Sequence, residues 1–141
     1  MSSTTASTFL DTNVLVYFFD ESEPAKAAIA REILRSVRPL TLSTQVLQEF
    51  FVTVTRKLSK PLPFEQALEA TQGLAALPMV LIDPDLVVAA IELAGRHQLS
   101  FWDALILQAA QRAGCTSVLS EDLQDGFRLG ELQVENPFRE E

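Results

Sequence analysis

Five short strand-like runs punctuate this chain: Phe9-Leu10, LTLS at Leu40–Ser43, MVLI at Met79–Ile82, SVLS at Ser117–Ser120 and LQVE at Leu132–Glu135. Between them lie stretches with helical periodicity. The spacing predicts helices from Thr12 to Phe19, from Glu23-Pro24 to about Val37, and from Thr44 to about Leu58. Further helices are expected from Phe64 to about Ala76, from Asp83-Pro84 to about His97, and from Ser100 to Gly114, with SKPLP at Ser59–Pro63 as a break. Pro24 fits because a proline is tolerated in a first helical turn. Strands that alternate with helices build βαβ units, so the chain is expected to form an α/β domain. Its mostly parallel sheet, of about four or five strands, is covered on both faces. In such folds, sites form outside the carboxyl ends of the strands.

A chain of 141 residues is long enough for one domain with a real core. No composition shift or linker divides it, so residues 9–141 are expected to form one unit after a frayed start at residues 1–8. MSSTTAST has neither the positive nor the apolar region of a signal peptide. No apolar run approaches the length needed to span a bilayer, so no membrane association is expected. Cys115 is the only cysteine, which excludes an internal disulfide and suits a reducing cytoplasm. The net charge of −8, from 19 acids and 11 bases, argues against nucleic-acid binding by charge alone. It suits a basic protein partner, or a site whose acids are neutralised by cations.

One carboxylate breaks an otherwise apolar region. In FLDTNVLVYFF, Asp11 follows a strand and precedes six apolar residues that begin after Thr12-Asn13. An Asp there can cap a helix. Three further acids fall at comparable places. Glu49 lies in the second turn of the helix after LTLS, about 60° beyond Val46 at the margin of an apolar stripe. Asp103 shares a face with Ile106, Leu107 and Ala110, and Asp122 follows the strand that closes at Ser120. Each has an ordinary explanation: a capping box of Ser100 with Asp103, a solvated helix acid at Glu49, a turn at Asp122. All four nevertheless map to one edge of the expected sheet. Converging carboxylates repel, so the arrangement points to hard cations with oxygen ligands, Mg²⁺ or Mn²⁺.

Other constellations are weak. His97 lies near a helix C-terminus, where a cation is favoured anyway, and Asp83 and Asp85 read as helix caps. Zinc-ligand spacing, GxGxxG and Walker loops are absent from the sequence. Trp102 reads as a core anchor more readily than as a base-stacking residue.

Taken together, FLDTNVLVYFF, the Glu49 helix, FWDALI and VLSEDLQDG followed by NPF resemble a PIN domain. More specifically, they resemble the toxin ribonucleases of VapBC toxin–antitoxin pairs. The resemblance spans Phe9 to Phe138. It implies a compact α/β/α sandwich that cleaves RNA endonucleolytically with Mg²⁺ or Mn²⁺, a cognate antitoxin and a homodimer. It carries over Asp11, Glu49, Asp103 and Asp122 as catalytic and metal-site acids, with Thr12 and Asn13 orienting the first Asp and Ser120 in support. Asp125 is the second choice for the fourth acid, but Gly126 beside it suggests a turn. Arg56, Lys57 and Lys60, at the end of the Glu49 helix, are candidate RNA contacts. About 10 Å of helix separates Arg56 from Glu49, so these bases would hold flanking nucleotides. The competing functional reading is a PIN-like module that binds RNA or protein without cutting. A haloacid dehalogenase-type phosphatase would place a second Asp where Asn13 stands.

Overall fold

A computed structural model describes residues 6–139. Six strands and six helices follow one another in the order β1 (Thr8–Leu10), α1 (Thr12–Tyr17), α2 (Pro24–Arg35), β2 (Leu40–Ser43), α3 (Thr44–Arg56), α4 (Phe64–Leu74), β3 (Met79–Val80), α5 (Pro84–His97), α6 (Phe101–Arg112), β4 (Ser117–Leu119), β5 (Arg128–Leu129) and β6 (Leu132–Glu135). Strand β1 begins inside the segment expected to fray, and residues 1–5 lie outside those described.

The sheet runs β3-β2-β1-β4-β6-β5, parallel throughout except where β5 pairs antiparallel with β6. Six strands stand where four or five were expected. The addition is β5, two residues folded back on β6 through a two-residue turn in which Gly130 adopts φ +60. A pairing that short carries no periodic signal, and the left-handed turn residue is what lets the chain reverse.

Local chemistry explains where the helices start. The Ser43 hydroxyl accepts the Val46 N–H at the head of α3, Asp83 accepts the Leu86 N–H at α5, and Ser100 accepts the Asp103 N–H at α6. Asp83 is thus a cap, as expected, and it also takes the Arg112 guanidinium at 2.7 Å. Helix α5 ends at Gln98, which adopts the left-handed conformation that terminates many helices.

The layering follows from handedness. From β1 the chain steps to β2 and then β3 in one direction; from β3 it reverses and passes back over β2 and β1 to reach β4. Right-handed crossovers therefore place α1–α4 on one face and α5–α6 on the other. The contacts agree: α1 packs on α2 and α3, α3 on α4, and α5 on α6, which lies against β2, β3 and β4. With both faces covered, β1 and β2 are buried at every residue instead of alternating. Phe9, Leu10, Leu42, Phe50 and Val118 form the centre of the core. Burial of a side chain such as Phe50 is worth about 1.5–3 kcal/mol. No helix among the described residues is long and apolar enough to cross a membrane.

The reversal has one consequence for function. Strands β1 and β4 are neighbours whose chains leave in opposite directions, which opens a crevice beyond their carboxyl ends.

Candidate active site

Asp11 stands at the carboxyl end of β1, its N–H still in the ladder to the Leu119 carbonyl of β4. It is also the N-cap of α1, because its Oδ1 accepts the Thr12 N–H at 2.7 Å. The cap reading of the sequence is therefore correct but incomplete. Oδ2 takes the Ser120 hydroxyl at 2.7 Å and the Asn13 amide at 3.5 Å. Ser120 is wholly buried, and its oxygen also accepts the N–H groups of Asp122 and Leu123. One hydroxyl thus fixes both the first carboxylate and the turn that carries Asp122.

Asn13 links the two walls of the crevice. Its Oδ1 accepts the Glu121 N–H at 3.1 Å, which leaves Nδ2 facing the carboxylates of Asp11 and Asp122, the latter at 3.2 Å. Glu49 reaches in from α3. The Thr12 hydroxyl donates to its Oε1 at 2.7 Å, and the Gln45 amide, one helical turn earlier, donates to Oε2 at 3.3 Å. The same amide donates to the Trp102 carbonyl at 3.3 Å and so ties Glu49 to the start of α6. Turning the Gln45 amide over would set its oxygen against two acceptors, so the assignment stands on the network. The Gln45 Oε1 is left buried without a partner among the described residues.

Burial raises the Asp11 carboxyl to about 6; the Ser120 and Thr12 hydrogen bonds oppose that shift, and the charges of Glu49 and Asp122 add to it. Among the described residues, no Lys, Arg or His forms an ion pair with Asp11, Glu49, Asp103 or Asp122. Glu121 contrasts with them. Burial pushes it up, but Lys26 at 2.6 Å and the Tyr17 hydroxyl hold it below the usual carboxylate range. Lys26 also sits 4.9 Å from the centre of the Tyr17 ring.

Beside Thr12 and Asn13 opens a cleft of about 740 Å³ that Glu49, Lys57, Trp102 and Asp122 also line; Asp11, itself buried, is not in the lining. The structure thus brings Asp11, Glu49 and Asp122 together with Thr12, Asn13 and Ser120. Asp103 is half-buried in the first turn of α6; it is neither among the charges acting on Asp11 nor in the lining of the cleft. No group of three or more His, Cys, Asp or Glu side chains among the described residues is arranged as it stands to hold a metal ion. Asp125 is engaged elsewhere: its carboxylate pairs with Arg139 and accepts the Asn136 N–H. Of the candidate bases, Lys57 lines the cleft, Arg56 is exposed, and Lys60 pairs with Glu21 at 3.4 Å on the surface.

Two features escaped the sequence reading. Gln45 carried one faint signal, its position four residues before Glu49 on one helical face. The Tyr17–Lys26–Glu121 group carried none, because Glu121 lies 104 residues from Tyr17. Trp102 is corrected outright: it is 60% exposed, not a core anchor, since its helix turns Ala104–Leu107 inward and leaves it at the cleft.

An open, mostly parallel α/β sheet with polar and acidic residues gathered at its switch point defines the class. The PIN domain family matches residues 8–128, and the chain belongs to that family. Solved structures share the fold. A toxin–antitoxin complex from Klebsiella pneumoniae superimposes with a TM-score of 0.70 at 20% identity, over 92% of this chain and 97% of that one. The VapC20 toxin of Mycobacterium tuberculosis, a sarcin–ricin loop cleaving toxin, gives 0.66 at 21% identity, over 82% of this chain and 89% of that one. VapBC2 from Rickettsia felis, bound to a promoter DNA fragment, gives 0.64 at 19% identity, covering 92% and 98%. No curated protein matches the sequence.

Proposed function

We propose that this chain is a metal-dependent endoribonuclease and the toxin of a toxin–antitoxin pair. The observation that carries the reading is the group Asp11, Glu49 and Asp122 at the switch point, each oriented by hydrogen-bond donors and none paired with a cation among the described residues. Its donor chemistry fits a hard divalent ion. The set is all oxygen, as such an ion prefers. Asp11, Glu49 and Asp122 would hold Mg²⁺ or Mn²⁺, joined by Asp103 from the first turn of α6. When bound, the ion supplies charge stabilisation at a phosphate and a lowered pKa for an attacking water.

The protein's own contribution is orientation. Ser120 and Asn13 pin one oxygen of Asp11 while the Thr12 N–H pins the other. Thr12 and Gln45 do the same for Glu49, and Asn13 steadies Asp122. Lys57, in the same cleft, is placed to hold a flanking phosphate, with Arg56 and Lys60 further along.

The similar structures include toxin–antitoxin complexes, which supports a cognate antitoxin as partner; the acidic balance of −8 favours a basic segment on it. A homodimer, RNA as substrate and a cytoplasmic location complete the reading.

The deciding experiment is RNA cleavage by the purified chain with Mg²⁺ or Mn²⁺ and with excess EDTA. Cleavage should stop on chelation; full activity in EDTA would sink the metal reading. A second readout needs no activity. Metal at about a hundredfold above its dissociation constant should stabilise the fold by about 2.7 kcal/mol, seen as a raised unfolding midpoint. Asp122→Asn should weaken both effects. Asp125→Asn should leave cleavage unchanged, because that carboxylate serves Arg139 and Asn136. Equal losses from the two substitutions would place the fourth acid differently.

A further inference from the structure

Trp102 is the only tryptophan, and it is 60% exposed at the edge of the same cleft as Glu49 and Asp122. It is held in place as well as exposed. The Phe101 ring meets its indole edge-on at 4.9 Å, and the Gln45 amide grips its backbone carbonyl. Through that amide the platform is tied to the Glu49 carboxylate. The cleft is otherwise a poor place for a polyanion, because Asp20, Glu49, Glu121 and Asp122 line it against the single base Lys57. With a net charge of −8 behind it, phosphate attraction to the protein's own side chains cannot supply most of the affinity for a nucleic acid. Stacking can, because it needs no charge and every base has an aromatic face.

We infer that Trp102 is a nucleobase platform: one unpaired base of a single-stranded RNA stacks on its indole and sets the strand in the cleft beside the acids. The inference rests on the RNA-cleaving reading above and adds a binding subsite to it. Trp102 acts in binding and touches no reacting atom. Beside the apolar Val16, Val52 and Leu58, the cleft offers Thr12, Gln48 and Lys57 as polar partners for the rest of a nucleotide.

The test compares the full-length parent with Trp102→Ala and Trp102→Phe on an unstructured RNA oligonucleotide in Mg²⁺. Trp102→Ala should raise KM roughly tenfold or more, with kcat within about twofold, and Trp102→Phe should recover most of the loss. Because the chain has one tryptophan, rapid mixing of the parent with the RNA should quench indole emission before cleavage. An abasic nucleotide walked along the oligonucleotide should, at one position, reproduce the KM loss in the parent and add nothing in Trp102→Ala. Circular dichroism checks that the variants fold, and the presence or absence of indole quenching in the parent keeps the test decisive if Trp102→Ala does not. Equal KM values in a parent that cleaves would overturn the platform and leave the nuclease reading standing. Weaker antitoxin binding with unchanged RNA kinetics would assign the indole to a protein partner and overturn it too. A parent that neither binds nor cuts RNA would overturn both.

Discussion

Asp11→Asn is expected to abolish RNA cleavage while making the metal-free chain more stable at neutral pH. The loss of activity, more than about a hundredfold, follows from removing the charge of the carboxylate to which the Thr12 N–H, Ser120 and Asn13 all donate. The gain in stability follows from burial. Asp11 is ionised at pH 7 in a site that raises its carboxyl from 3.8 to about 6, at a cost of about 3 kcal/mol. Asparagine removes that cost but cannot satisfy every neighbour. Its oxygen can face the Ser120 hydroxyl or the Thr12 N–H, and its amide then meets the other donor. A net gain of about 1–2 kcal/mol remains.

The sign with pH is opposite to that of an ordinary salt-bridged acid. Because the folded carboxyl lies above the unfolded one, the folded parent binds a proton first as pH falls, and its stability rises from above pH 6 down to about 4. The variant lacks this rise. Urea unfolding of both chains in EDTA at pH 7 and pH 5 should show the gap closing at the lower pH. A gap that widened on acidification would mean that Asp11 is stabilised, and not strained, in its ionised form.

The second large effect is expected at Ser120. Alanine in its place removes the hydroxyl donor to Asp11 and the acceptor of the Asp122 and Leu123 N–H groups, all at a fully buried position. Unsatisfied buried groups cost about 1–3 kcal/mol each, and partial relaxation of the turn brings the total to about 2–4 kcal/mol. Cleavage should fall as well, since Asp11 loses a bond that favours its charged form and the Asp122 turn loses its anchor. The double variant Asp11→Asn, Ser120→Ala should cost less than the sum of its parts, because the two side chains share a bond. Strict additivity would show that the hydroxyl serves only the turn.

Much of this was legible in the chain. The parallel sheet could be read because short strand-like runs, Leu40–Ser43 and Met79–Ile82 among them, alternate with helical stretches along the chain. Asp11, Glu49 and Asp122 stood out because each breaks or borders an apolar stretch beside a strand end. What could not be read depends on contacts between distant residues. Nothing near Asn13 reveals that it spans Glu121 and Asp122, more than a hundred residues away. Asp103 shares a stripe with Ile106 and Leu107, yet the first turn of a helix lies at the rim of the packed layer, and the residue is only half-buried. Strand β5 was too short to register, and the exposure of Trp102 depends on how α6 is rotated against the sheet.

The order in which the sheet is laid down also fixes when the cleft comes into being. One wall follows β1 and the other follows β4, yet the hydroxyl and amide bonds that join them connect residues 109 positions apart. During synthesis from the N-terminus, the first helices can form and pack early. Asp11 then caps its helix with no partner across the crevice until Ser120 and Asp122 have been made and β4 has paired with β1. A nascent or prematurely stopped chain that lacks β4 thus has Asp11 and Glu49 but no assembled centre. Placing one wall late in translation order delays assembly of the centre until the polypeptide is nearly able to fold as a whole.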